Sequence, residues 1–475
     1  MSHAHGGKIE LKPANRKAIT IYVILSVIFL GFGILSMVLL FTNPTYGPDV
    51  KDFFSTILSA IVVGTVSLAN YWWVILLIVL GLIVSGFLVG WLLLYLVSKL
   101  GHILVYAGCI LTIVGGIIGG LVALIFFPGV GLMYALTAFI PAGIMIFIFA
   151  FNFQKIKRAG TFMKFTGQVI LAEKRMIVAP LIVSIVSVIS GLNMIAIFAE
   201  ITLVFQNSSV PYLGYILGSL ATLLQLIVYY GIFYAAEAVN TTYAYEWYRK
   251  RDPDMPFCLK NVRGNFGGIF AFGVATAVVS WVQQLLRNAA SRSSREGNIV
   301  GIILAILARI LASIMGFIYK YLTYFTLPAI VVEGREFKDG VKRSFDLIKR
   351  YYMDVLVREI GVERAIGIVQ WISFFIYGVA GTVVGLILYA ATSLSLAGSL
   401  LITIIPALIF AFVPTFFINR PMKTSYLTFI FAYAQDEETN FRLPTRMPEE
   451  LRGDLKEASK TLNPSKSIAK MSYVE

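Results

Sequence analysis

Ten long apolar runs divide this chain, and the basic residues between them gather on one side of every crossing. A helix needs about 20 mostly apolar residues to span a bilayer. Runs of that length occupy 18–42, 71–98, 103–127, 130–151, 176–206, 212–243, 264–286, 298–332, 365–391 and 395–418. With both termini placed inside, 33 of the 39 Lys and Arg residues fall on the inner side, four on the outer side and two, Arg309 and Lys320, within the eighth run. Lys and Arg are retained in cytoplasmic loops during insertion, so a wrong count of crossings would scramble this asymmetry. The fold class read from it is an all-α polytopic integral membrane protein with about ten transmembrane helices and both termini cytoplasmic.

The segments follow from that frame: a cytoplasmic N-terminal segment 1–17, a transmembrane bundle 18–418 and a cytoplasmic tail 419–475. In the 333–364 loop Phe337, Val341, Phe345, Ile348, Tyr352 and Val355 recur at helical spacing among charged residues. That pattern predicts an amphipathic helix on the inner face, and 153–175 is a weaker version of it. Phe53 to Leu68 is apolar but short, and reads as an interfacial or re-entrant helix, because an extra crossing there would invert every later run. Tyr71, Trp72 and Trp73 read as an outer aromatic belt, Trp247 and Tyr248 as an inner one. A short helix is expected over 448–460, started by Pro448. In the eighth run Lys320 is near enough to the inner end to snorkel.

Composition narrows the function. Charged residues make up 13% of the chain, against about a quarter in soluble proteins. The net charge of +14 sits in short loops, so it implies attraction to anionic lipid head groups and no nucleic-acid partner. Cys109 and Cys258 lie far apart in sequence, one within a run and one in a loop, and imply no disulfide framework. Walker A, His-Glu-x-x-His and Cys-x-x-Cys motifs are absent, so the chain is not read as an enzyme, and no cofactor or metal is expected. His3 and His5 alone have a metal-like spacing. Gly115-Gly116-Ile117-Ile118-Gly119-Gly120, Gly86/Gly90 and Gly381/Gly385 are small residues four apart. They let helices approach closely, either within one chain or between copies in a homo-oligomer or larger membrane complex. Wealth in Ile, Val, Tyr and Arg with few Cys and His is the composition of a prokaryotic or archaeal chain.

The sixth run carries the candidate site. Tyr230, Tyr234, Glu237 and Thr241 recur at i, i+4, i+7 and i+11, which puts them on one helix face, with Asn240 beside them. An ionisable residue inside a membrane is costly and marks function by default. Aromatic faces plus a carboxylate suit a small organic cation, held by cation–π attraction and charge. The competing reading pairs Glu237 with Lys320 or a loop arginine near the inner interface. Trp281 and Trp371 lie deeper, where they either line a cavity or pack in the core.

Several short stretches, in order, resemble the choline transporter-like family. They are Lys155-Ile156-Lys157-Arg158 through Pro180; Ala235-Ala236-Glu237-Ala238-Val239, ending in Trp247-Tyr248-Arg249; Asn265-Phe266-Gly267-Gly268 followed by Ala271-Phe272-Gly273; Gly340-Val341-Lys342-Arg343-Ser344-Phe345; and Ala434-Gln435-Asp436-Glu437-Glu438-Thr439-Asn440. The His and Ser of the family's third stretch are missing, and the large cysteine-bearing loop after its first span is here about 28 residues without cysteine. Pro328-Ala329-Ile330-Val331-Val332-Glu333-Gly334, with Lys342-Arg343-Ser344 after it, is similar to a segment of uncharacterised prokaryotic polytopic membrane proteins. The resemblance implies ten spans, a plasma-membrane location and a transporter for choline or another small organic cation. The alternative is a non-catalytic structural or accessory membrane subunit with a scaffold, assembly or lipid-organising role.

Overall fold

A computed structural model of the chain describes residues 8–44, 47–52, 55, 72–126, 131–151, 153–205, 210–295, 299–357, 362–391, 396–439 and 444–446. Among them there is no strand. The helices are α1 (Arg16–Thr42), α2 (Trp72–Phe126), α3 (Gly131–Phe151), α4 (Phe153–Ala172), α5 (Val178–Phe205), α6 (Pro211–Tyr248), α7 (Met255–Arg295), α8 (Ile299–Leu322), α9 (Thr326–Glu333), α10 (Phe337–Val357), α11 (Glu363–Ala391), α12 (Leu396–Phe410) and α13 (Phe412–Glu438). Eight of the described helices are long and apolar enough to cross a membrane. The polytopic all-α class holds, while three boundaries differ from the sequence reading, of which the first and third lower the count.

First, the runs 71–98 and 103–127 are one helix. A turn around Lys99 needs a residue that ends the hydrogen-bond ladder, and Ser98 to Ile103 offers Gly101 alone and no proline, so the 55-residue α2 continues for about 80 Å. The basic helix α4 crosses it there. A side chain on Gly101 would strike the Lys164 backbone, and one on Gly160 would strike His102. Second, the eighth run breaks at 323–325. Pro328 is the third residue of α9, where its missing N–H costs nothing, but further upstream it would clash with a continuing helix. The freed Phe325 amide instead donates to Ser344 Oγ at 2.9 Å. Third, the run 395–418 ends at Ala411, because Pro414 stands in the same third position of α13.

The segment expected as a tail from 419 begins as helix. The run from Ile418 to Asp436 continues as α13, and Met422, Tyr426, Phe429, Phe431 and Ala432 are buried in the main core. The cluster Asn419-Arg420-Pro421 reads as an exit from the membrane, yet the aromatic residues after it supply enough apolar surface to bury the helix.

α10 forms as expected but docks on protein. Gly340, Ser344, Leu347 and Tyr351 are buried while Phe345 is 42% exposed, so the covered stripe is rotated from the predicted one. α4 is likewise a core element, with Ile156, Met163, Phe165 and Val169 buried. Trp247 and Tyr248 are core residues as well. Both are buried against Phe429, Tyr248 stacked and Trp247 tilted, and this overturns their assignment to an interfacial belt. Gly116 and Gly120 pack against α3, and Gly381 and Gly385 against α12, all within one chain. Most of Phe53 to Leu68, the 448–460 helix, His3 and His5 lie outside the described residues.

Gly334 caps α9 in the left-handed conformation at φ 65°, its N–H reaching the Ala329 carbonyl. Glycine adopts that conformation without a Cβ penalty. Asn15 caps α1, accepting from the Ala18 amide at 3.2 Å, and its own amide donates to the Arg263 carbonyl at 3.0 Å. Gly264 and Gly267 of α7 leave room for Lys12 and Asn15, so the N-terminal segment is strapped across the start of α7.

Candidate functional site

The five residues read from the sixth run sit on α6 but divide between two faces. Tyr230 and Tyr234 turn toward α7 and α8. Tyr230 OH is 3.1 Å from Ser280 Oγ. Thr276 Oγ1 donates to Tyr234 OH at 3.2 Å and lies 2.7 Å from Tyr319 OH. The two tyrosine rings stack 5.9 Å apart, and Tyr234 approaches Phe272 at 4.2 Å. Glu237 turns toward α13, where Thr424 Oγ1 donates to its Oε2. Thr241 is fully buried and donates to the Glu237 backbone carbonyl at 2.9 Å. Asn240 is 1% exposed, and its Oδ1 has no hydrogen-bond partner among the described residues. Lys320 lies exposed at the end of α8.

Arg420 completes this layer and escapes sequence reasoning, because 419 onward reads as tail. It stands one turn before Thr424 on α13. Its guanidinium lies 4.7 Å from the centre of the Phe233 ring, and its Nη2 donates to Tyr229 OH at 3.2 Å. This stretch of the bundle thus holds a carboxylate, a guanidinium, three hydroxyl-bonded tyrosines and a phenylalanine. Aromatic rings and a carboxylate are groups that can hold a cation, and the Arg420 guanidinium already lies over the Phe233 ring.

Below it, at the end of the bundle that carries the basic loops, the motifs singled out in the sequence converge. Arg249 ends α6 and pairs with Asp436 of α13, at 0% and 1% side-chain exposure. Tyr248 OH donates to the other Asp436 oxygen at 2.7 Å, and Tyr245 OH donates to Gln435 at 2.9 Å. Gln435 Nε2 donates to Glu333 at 3.1 Å. Glu333 also binds Arg335 and Arg343, and Arg343 forks onto both Glu438 oxygens at 2.8 and 2.6 Å. Tyr351 of α10 donates to Glu437. Asn261 of α7 joins the layer, donating to Thr242 at 3.0 Å and to the Val331 carbonyl at 3.1 Å. α6, α7, α9, α10 and α13 are fastened together by this network. Burial alone would lower the pKa of Arg249, but Tyr245 and Asp436 outweigh that effect and hold it above the usual arginine value.

At the opposite end, α5, α6 and α7 line a cavity of about 940 Å³ that is open on one side. Its wall repeats at helical spacing on each helix: Phe198 and Phe205 on α5, Tyr215 and Ser219 on α6, Trp281 and Asn288 on α7. Trp281, one of two tryptophans read as cavity or core, therefore lines a cavity, whereas Trp371 is 69% exposed. Among the described residues no group of His, Cys, Asp and Glu is arranged to hold a metal ion.

The family described as plasma-membrane choline transporter matches residues 136–438, well over half of the chain. The match begins in α3 and ends on the last residue of α13, so it takes in the Glu237 layer, the cavity and the ionic network. No curated protein matches the chain.

Proposed function

The chain belongs to the plasma-membrane choline transporter family, and from that premise we propose that its cargo is choline or another small organic cation, carried across the plasma membrane past Glu237. The observation that carries the reading is the Glu237 layer. A membrane-buried carboxylate is retained at a cost that only a function or a partner offsets. Here it is fixed by Thr424 and flanked on the same helix by Phe233 and Tyr234. Tyr230 and Tyr234 spend their hydroxyls on Ser280 and Thr276, which orients the rings. A cation arriving in the layer meets the carboxylate on the α13 side, beside the Phe233 ring that the Arg420 guanidinium covers at rest. Asn240 and Thr241 hold the helix and the buried polar surface just below. At the basic end, exposed Lys342 and Lys349 of α10 meet anionic lipid head groups.

Uptake of labelled choline into proteoliposomes tests this directly. The unaltered protein should accumulate choline, and Glu237→Gln should lower kcat/KM by about tenfold or more, ~1.4 kcal/mol per decade. Accumulation that is the same in Glu237→Gln would remove the carboxylate from the mechanism. No accumulation of choline, betaine or tetramethylammonium would remove the cargo class.

A further inference from the structure

We infer that the cavity between α5, α6 and α7 is a second, uncharged binding site for quaternary ammonium ions, which loads cargo before it reaches Glu237. The inference rests on the transport reading above and adds a place and a selection rule to it. Three helices supply aromatic walls: Phe198 and Phe205, Tyr215, and Trp281. The indole is pinned, since Trp281 Nε1 donates to both the backbone oxygen and Oγ of Ser219 at 3.0 Å. Its ring face is thereby set before any ligand arrives, and preorganised faces bind cations without an ordering cost. Gln284 and Asn288 place side-chain amides on the α7 wall, in reach of a hydroxyl or ester on the ligand. The volume of about 940 Å³ lies at the upper end of small-molecule sites, room for a choline-sized ion with some of its water.

Among the described residues no charged side chain lines the cavity, and that sets the selectivity. Sodium, potassium or a primary ammonium loses strong water contacts on entering and finds no carboxylate in return. A quaternary ammonium carries its charge under methyl groups that donate no strong hydrogen bond, so it loses less and gains the ring faces. The same absence makes the site weak, as a loading site must be if its ligand is to move on. The cavity wall is linked to the deeper layer through α7, where Ser280, next to Trp281, bonds Tyr230. Thr222 on the cavity wall and Glu237 are fifteen residues apart on α6, about 22 Å along one helix.

The test is a calorimetric titration of tetramethylammonium onto the full chain in nanodiscs, beside choline uptake. Saturable binding is expected in the unaltered chain and in Glu237→Gln. Trp281→Ala and Tyr215→Ala should each raise Kd by about tenfold, Trp281→Phe should stay within about threefold, and methylammonium should bind about tenfold more weakly. Tyr215→Ala keeps the test decisive if Trp281→Ala does not fold. No binding to the unaltered chain, a Kd within about twofold in both alanine variants, or binding that disappears in Glu237→Gln overturns the loading site. The two readings fail apart. Choline uptake whose KM is unchanged by Trp281→Ala and Tyr215→Ala sinks the loading site alone, and the expected binding pattern without any uptake sinks transport alone.

Discussion

Arg249 and Asp436 are the most consequential pair at the residue scale. Burying two charges costs more than their attraction returns unless hydrogen bonds satisfy the remaining atoms, and here Tyr248 donates to the second Asp436 oxygen. Removing one partner leaves a buried charge without compensation. Asp436→Asn should therefore lower unfolding free energy by about 3–5 kcal/mol, while the double change Arg249→Met with Asp436→Leu should recover most of it. Thermal unfolding of the three proteins in one detergent checks this, and a double variant no better than the single would contradict it. A milder residue effect belongs to Glu173, between α4 and α5. Burial first, then the charge of Asp252, push its pKa above the usual 4.5, with Arg446 and Arg175 opposing. A carboxyl with a raised folded pKa stabilises the fold below its unfolded pKa, and that contribution is lost as pH rises through the folded value. At neutral pH it is ionised at a penalty, so Glu173→Gln should raise the melting temperature near pH 7 and leave it little changed near pH 4. An equal shift at both values would deny a protonation effect. Glu237 is legible from sequence, since one carboxylate in a long apolar run stands out. Arg420 is not, because the polar cluster around it reads as the start of a tail, and only the contact of α13 with α6 brings it beside Phe233 and Tyr229.

Elements show the same division between local signal and tertiary outcome. The helices at Thr326 and Phe412 begin where Pro328 and Pro414 dictate, and both prolines are visible in the sequence. Whether the chain turns at Lys99 depends on an absent breaker and on α4 packing across Gly101, which hydropathy does not report. α10 is legible as amphipathic because its apolar and charged residues alternate at helical spacing. Its partner is not, since the same stripe suits a lipid surface or a protein groove. What selects the groove is Arg343, whose pKa is raised above the usual arginine value: burial opposes, but Glu438 and Glu333 prevail. A forked arginine–carboxylate contact is stronger and more directional than a single ion pair. Arg343→Gln should loosen α10 from α13 and speed hydrogen exchange of α10 amides by about tenfold, equivalent to ~1.4 kcal/mol of local opening. High salt should do part of the same in the unaltered chain. Exchange that is unchanged by the substitution would mean that Leu347 and Tyr351 hold α10 without the ion pairs.

For the whole molecule, the two ends of the bundle are built in opposite ways. Aromatic rings and amides line an open cavity at one end, while five helices are tied by buried ion pairs and tyrosine hydroxyls at the other. A carrier of cations past Glu237 must open the tied end at some step, since Arg249, Asp436, Tyr248 and Asn261 are buried and bonded to one another or to neighbouring helices beneath the layer. The network suits a reversible closure, because its members exchange partners at modest cost when water enters, whereas an apolar seal of the same area would not. Cys258 reports on this. It is fully buried on the first turn of α7, three residues before Asn261, on the side that the network closes. In a Cys109→Ser background, a maleimide should label Cys258 slowly at rest and several-fold faster while choline is being transported, and Glu237→Gln should abolish the acceleration without changing the resting rate. Labelling that is equally slow with choline uptake in progress would place the opening elsewhere, on the α2 side of α4, where Gly101 and Gly160 hold the two helices in backbone contact.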